Sequence, residues 1–227
     1  MKYEIFGDNL PAVTISLENG EEIFTQSGGM AWMKGNIEMN TNTRGGVLKG
    51  LGRLMTGESL FMVTYTSHQT GAQITFSSTF PGNIIPFDVS KGEVIIQKNA
   101  FLCAQPQVEL SLYMTKRASA GFFGGEGFIL QKLSGNGIAF LELDGSIKEI
   151  NLSSGETLTV DTGHVAAFDA KVTYEIQTVK GFKNIMFGGE GLFLTTLTGP
   201  GRVWLQTITL PGFAQRLIPF LPKPSSK

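Results

Sequence analysis

Two stretches of this chain are near-copies of one another: FFGGEGF at Phe122–Phe128 and MFGGEGL at Met186–Leu192. The match runs well beyond the shared turn. FGGEGFILQKLSGNGIAFLEL from Phe123 aligns with FGGEGLFLTTLTGPGRVWLQT from Phe187, setting Leu130 against Leu194, Leu133 against Leu197, Gly135 against Gly199, Gly137 against Gly201 and Leu141 against Leu205. A weaker copy, MTGESLFMVTYTSHQTGAQITF, starts at Met55 and sets Gly57, Glu58, Ser59 and Leu60 against Gly125, Glu126, Gly127 and Phe128. Upstream of each copy lies a second triplet that opens with Gly-Glu, at Gly20, Gly92 and Gly155. Each member passes a small apolar cluster (Met30-Ala31-Trp32, Leu102-Cys103-Ala104, Val165-Ala166-Ala167) and closes on a segment carrying Glu38, Glu109 or Glu175. A pattern written three times at intervals of roughly 65–70 residues constrains the chain to one unit used three times. The expected organisation is a single domain of three internal repeats, about 1–85, 86–150 and 151–220, superposable about a pseudo-threefold axis, with a short Pro-rich tail, 219–227.

The periodicity within each unit is that of strands. Val94–Ile96 with Lys98, and Thr157–Val160, alternate or run as short apolar segments between Gly, Asn and Asp, which reads as β-structure. Phe128–Leu133 and Ile138–Leu141, broken by SGNG, read as a hairpin, and TGPG (Thr198–Gly201) and LDGS (Leu143–Ser146) supply hairpin turn chemistry. Glycine accounts for 29 of 227 residues, about twice the usual ~7%, as a chain of many short strands and turns requires. One segment departs from the pattern. In GGVLKGLGRLM, Val47, Leu48, Leu51, Leu54 and Met55 recur on one helical face. The segment FAQRLIPFLPKP allows a further helical turn, which Pro219 and Pro222 stop. The expected fold is all-β with one or two short helical turns.

Composition excludes several function classes. With 41% hydrophobic and 16% charged residues, the chain has material for a sizeable core. A net charge of −1, from 18 basic and 19 acidic residues, lacks the basic excess of a nucleic-acid binder. The opening MKYEIFGDNL is interrupted by Glu4 and Asp8 and has no apolar targeting run. No window approaches the ~18 apolar residues of a spanning helix. A soluble, cytoplasmic protein is expected.

Catalytic chemistry finds little to work with. Cys103 is the one cysteine and sits in an apolar run, which reads as a buried small side chain. His68, in the polar turn TSHQTG, and His164, after Gly163, have no histidine partner at close spacing, so no cupin-type metal set and no cofactor is expected. There is no Gly-x-Ser-x-Gly elbow, phosphate loop or dinucleotide fingerprint. The repeated Glu58, Glu126 and Glu190 leave two readings open. Either each carboxylate accepts backbone N–H groups at a recurring strand corner, or the three gather as a polar ligand site and raise one another's pKa.

Taken together, the tandem GGEG turns, Gly199–Thr207 (GPGRVWLQT), the Gly-Leu-rich segment before Glu58–Phe61 and the Ala31-Trp32-Met33 strand resemble the altered-inheritance-of-mitochondria family, over nearly the whole chain. The resemblance implies a fold similar to the tryptophan RNA-binding attenuation protein: a double-stranded β-helix-like barrel with three repeats. It brings no established activity or catalytic residue with it, and a mitochondrial role need not carry over. The expected function is that of a non-catalytic binding or scaffold protein. Its candidate contact surface for a protein or a membrane is Val47, Leu48, Leu51, Leu54 and Met55 together with Leu217, Ile218 and Phe220. The alternative is a small-ligand binder or enzyme with a pocket between repeats.

Overall fold

The structure, a computed structural model, describes residues 1–26, 28–42, 62–113, 129–178 and 193–222. The turns bearing Glu58, Glu126 and Glu190 and the segment Val47–Met55 lie outside the described residues. Among the described residues nineteen short strands run in chain order. The first seven are β1 (Lys2–Phe6), β2 (Ala12–Leu17), β3 (Glu22–Gln26), β4 (Met30–Lys34), β5 (Ile37–Asn42), β6 (Met62–Ser67) and β7 (Ala72–Ser77). The next six are β8 (Gly82–Asp88), β9 (Val94–Gln97), β10 (Phe101–Ala104), β11 (Val108–Tyr113), β12 (Leu130–Gly135) and β13 (Ile138–Asp144). The last six are β14 (Ile147–Leu152), β15 (Thr157–Asp161), β16 (Val165–Asp169), β17 (Thr173–Thr178), β18 (Phe193–Thr198) and β19 (Gly201–Gln206). One α-helix, α1 (Leu210–Leu217), and a 3-10 turn at Ile218–Phe220 follow.

Pairing recurs every six strands. β3·β6, β9·β12 and β15·β18 are antiparallel pairs, as are β5·β6, β11·β12 and β17·β18. So are β2·β7, β8·β13 and β14·β19. In β4·β7, β10·β13 and β16·β19 the register slips at one place, between Met30 and Trp32, Phe101 and Cys103, and Val165 and Ala167. A bulge is a specific insertion in a strand, and here it falls at the same point each time. It aligns Phe101-Leu102-Cys103, rather than Leu102-Cys103-Ala104, with Met30-Ala31-Trp32. Register also separates Glu175 from its expected equivalents: Glu38 faces Thr66 and Glu109 faces Ser134, whereas Glu175 faces Thr196, two residues short of the matching Thr198.

The strands form four sheets, ordered β1-β2-β7-β4, β5-β6-β3-β10-β13-β8, β11-β12-β9-β16-β19-β14 and β15-β18-β17. Three apolar cores lie between them. Val13, Ile15, Ile74 and Phe76 of the first sheet pack with Ile23, Val63 and Tyr65 of the second. Phe24, Ala139 and Leu141 of the second pack with Val94, Ile96 and Leu133 of the third. Ile95, Phe168 and Val203 of the third pack with Leu158 and Leu197 of the fourth. The two six-stranded sheets are thus covered on both faces, and alternation divides each strand between two cores. Ile23 enters the first core and Phe24 the second; Ile96 enters the second and Ile95 the third. That is why Ile23-Phe24 and Val94-Ile95-Ile96 read as unbroken apolar runs.

Two expectations are corrected. No sheet closes into a barrel: all four are open, and a closed body would set β4 beside β15, a pairing absent among the described residues. The short glycine turns are also not hairpins. SGNG joins β12 to β13, LDGS joins β13 to β14 and TGPG joins β18 to β19, and in each case the two strands belong to different sheets. Gly135 (φ 98°) and Gly137 (φ 128°) let the chain leave one sheet and enter the facing one within two residues. The true hairpin partners, β5 with β6, β11 with β12 and β17 with β18, are those whose connecting segments carry the Gly-Glu motif.

Candidate functional site

The C-terminal segment begins where β19 ends. Thr209 caps α1, its hydroxyl accepting from the Gly212 N–H at 3.2 Å, and Pro211 occupies the first turn, where its missing N–H costs nothing. Leu210, Phe213 and Leu217 recur on one side of the helix, and the Phe213 ring meets Phe80 of the β7–β8 turn edge-on, with centroids 5.1 Å apart. This anchors the helix without burying it, since no residue of α1 is buried. Leu217 is 45% exposed, Ile218 61%, Phe220 85% and Leu221 60%. The sequence expectation of one helical turn understates the element: Thr209 and Pro211 start a helix of two turns, and Pro219 then sits in the 3-10 turn that ends it. Of the expected contact residues, Leu217, Ile218 and Phe220 therefore stand in one apolar strip on the surface.

A second cluster was not foreseen in the sequence. On β13, Ala139, Leu141 and Leu143 enter the second core, so Glu142 and Asp144 project from the opposite face. Glu142 Oε2 accepts from Ser78 Oγ (3.1 Å), the Thr79 N–H (3.0 Å) and Thr79 Oγ1 (3.4 Å), which fastens the β7–β8 turn to β13. Burial pushes the Glu142 carboxyl upward against those donors. Burial first, and then the charge of Glu142, push Asp144 up to about 6. Burial, with a smaller contribution from Glu142, also pushes the Cys103 thiol well up, as expected of an inert core cysteine. The available signal was the i, i+2 spacing of Glu142 and Asp144 among alternating apolar residues, which puts both acids on one face.

Other carboxylates play the corner role that is one of the two readings of Glu58, Glu126 and Glu190. Glu21 Oε2 accepts the Glu18 N–H at 2.9 Å and Glu156 Oε2 accepts the Ser153 N–H at 2.8 Å, each closing a turn that leads into a strand. The two histidines serve different strands. His68 Nε2 lies 2.8 Å from Glu38 Oε2 on the surface, and His164 Nδ1 lies 2.7 Å from the Gln206 carbonyl. Among the described residues no three His, Cys, Asp or Glu side chains gather closely enough to hold a metal ion. No helix among them is long and apolar enough to cross a membrane. A cleft of about 360 Å³ lies between the β2–β3 turn and the β10–β11 turn; Glu21, Glu22, Gln105 and Gln107 line it, with neither an aromatic nor an arginine.

Comparison with known proteins gives a consistent result. A curated, uncharacterised protein of Streptococcus pyogenes serotype M6 is 30% identical over 223 residues, covering 95% of this chain and 89% of its own length. The crystal structure of another Streptococcus pyogenes protein is similar with a TM-score of 0.78 and 28% identity, covering 97% of this chain and 99% of that one. A sequence model of the family described as "Mitochondrial biogenesis AIM24" matches residues 3–208, and the chain belongs to that family.

Proposed function

We propose that this protein is a non-catalytic binding or scaffold protein: three copies of one double-stranded β-helix-like sandwich, presenting an apolar C-terminal strip to a protein partner. The observation that carries the reading is the exposure of Leu217, Ile218, Phe220 and Leu221 in one continuous segment that starts at the last residue of α1. Contiguous apolar surface of this kind marks interaction sites. The six-strand recurrence of pairing, with its repeated bulge, supports the three-copy architecture. Val47, Leu48, Leu51, Leu54 and Met55 belong to the same proposal as a second apolar contact face. The cleft at Glu21 and Gln105 offers the alternative small-ligand reading less, because ligand pockets are largely apolar and aromatic-lined. The test is crosslinked capture from native lysate with the parent chain and with an Ile218→Asp/Phe220→Asp variant. A partner held by the parent and lost by the variant is expected. Equal capture by both refutes the assignment of the strip. Flotation of the parent, but not the variant, with anionic lipid vesicles would replace the protein partner with a membrane.

A further inference from the structure

The two ends of the sheet series complement each other. β3 pairs with β10 and β9 pairs with β16, joining one set of strands to the next. The third pair of this series would join β15 to β4. Both strands instead lie at sheet edges, β15 at the end of the three-stranded sheet and β4 at the end of the four-stranded one. Their counterparts are sealed. Phe101–Ala104 of β10 and Val165–Phe168 of β16 are all buried, whereas Trp32 and Met33 of β4 are 54% and 42% exposed.

We infer that β4 of one molecule pairs with β15 of a second copy of this chain, continuing the seams found within the chain and joining copies head to tail. The inference rests on the three-copy architecture proposed above. The internal seams set its register. Cys103 and Ala167 face Thr25 and Ile96, and Ala104 and Phe168 face Phe24 and Ile95. The common bulge makes Trp32 and Met33 the equivalents of those residues. The common β3·β6, β9·β12 and β15·β18 registers make Val160 and Thr159 the equivalents of Ile96 and Ile95. Trp32 therefore faces Val160 of the second copy, and Met33 faces Thr159.

Packing supports the same pairing. Inside the chain each seam position combines one small residue with one large aromatic across strands: Cys103 with Phe140, and Ala167 with Trp204. At the free end the combination is Trp32 with Thr75, the same two sizes with the strands exchanged. Phe140 and Trp204 are 0% and 5% exposed. Trp32 thus carries the seam's aromatic at the one seam that, among the described residues, no strand of the same chain covers. An unpaired, apolar edge strand is a ready template for strand addition. Because the two edges differ, the contact is heterologous, each molecule offering one edge of each kind.

Sedimentation velocity tests this with the parent, Trp32→Asp and Thr159→Asp. Trp32 and Thr159 are both exposed in the single chain, and circular dichroism establishes that each variant is folded. The parent should sediment as an oligomer. Each variant alone should fall to the 24.5 kDa monomer, because either substitution places a charge in the seam. An equimolar mixture should recover a species of twice that mass and no larger, because Trp32→Asp keeps a sound β15 and Thr159→Asp keeps a sound β4. A monomeric parent at micromolar concentration overturns the inference whatever the variants do. So do variants that keep the parent's mass, or a mixture of folded variants that stays monomeric. The Ile218→Asp/Phe220→Asp variant leaves both edges intact, so loss of the strip's partner and loss of self-association are read separately. Failure of the three-copy architecture is read from coordinates rather than from mass.

Discussion

Asp144 is an acid that the fold keeps against its own ionisation, and replacing it with Asn should stabilise the protein above neutral pH. Its carboxyl moves from 3.8 to about 6, driven by burial and then by the charge of Glu142. The difference, 6 − 3.8, is about 2.2, which at ~1.36 kcal/mol per unit sets a ceiling of about 3 kcal/mol. Asp144 is only partly buried, and screening by solvent lowers the expected gain to about 1 kcal/mol. The sign follows from proton counting. Between pH 3.8 and about 6, the folded chain still holds a proton that the unfolded chain has released, so stability falls as pH rises through that window. Asn carries no such proton, and the Asp144 backbone N–H keeps its bond to Gln206 Oε1 at 3.1 Å. Denaturant unfolding at pH 8 should show Asp144→Asn more stable by about 1 kcal/mol, or about 2–4 °C for a chain of this size. At pH 3 the two proteins should coincide. Equal stability at pH 8, or an advantage that persists undiminished at pH 3, would refute the reasoning.

Three further outcomes follow. Cys103 is fully buried, so a thiol reagent should leave it unmodified in the folded chain and react at the rate of global unfolding; rapid native-state labelling would show the first core to be open. Gly135→Ala sets a side chain at φ 98° against the Gln107 carbonyl oxygen and should cost about 2–4 kcal/mol. Gly20→Ala, at φ 81° with open space around it, should cost only the ~1 kcal/mol of backbone strain, and equal costs at the two sites would show that the carbonyl contact is without effect. Glu126→Ala and Glu190→Ala should each lower stability by about 1–3 kcal/mol, the cost of leaving a backbone donor unpaired; melting at or above the parent's temperature would favour the ligand-site reading of the repeated glutamates.

The β character was legible because each short apolar run sits between Gly, Asn or Asp, and the sequence pattern recurs at about the interval at which strand pairing recurs. The alignment of Leu133 with Leu197 corresponds to two fully buried residues, one facing Val94 and the other Leu158 in matching pairs. The glycine turns were located correctly and misread, because SGNG and TGPG have the same composition whether a chain returns along one sheet or crosses to the next. Only the long-range partners, Leu133 with Val94 and Ala139 with Phe87, tell the two apart, and a local signal does not contain them. The exposure of Leu217, Ile218 and Phe220 was not readable from the sequence, because an apolar tail has the same composition whether it packs onto a sheet or stays on the surface. The acid pair Glu142 and Asp144 escaped notice because LELD, read locally, is a half-exposed strand. The Ser78 and Thr79 donors that make a site of it lie more than sixty residues away. The exposed edge at β4 was hidden for the same reason: Met30-Ala31-Trp32 looks like its buried counterparts, and only the lack of a further strand beside it among the described residues sets it apart.

The central claim, that one sandwich is built three times, is tested most directly by an experimental structure that places the three Gly-Glu turns. The strand sets β2–β7, β8–β13 and β14–β19 would be superposed in pairs on their common bulges, at Trp32, Cys103 and Ala167. The account predicts that Glu58, Glu126 and Glu190 then coincide at one corner, each with its carboxylate on backbone N–H groups of its own turn. Superposed strands with the three glutamates at unrelated positions would contradict it.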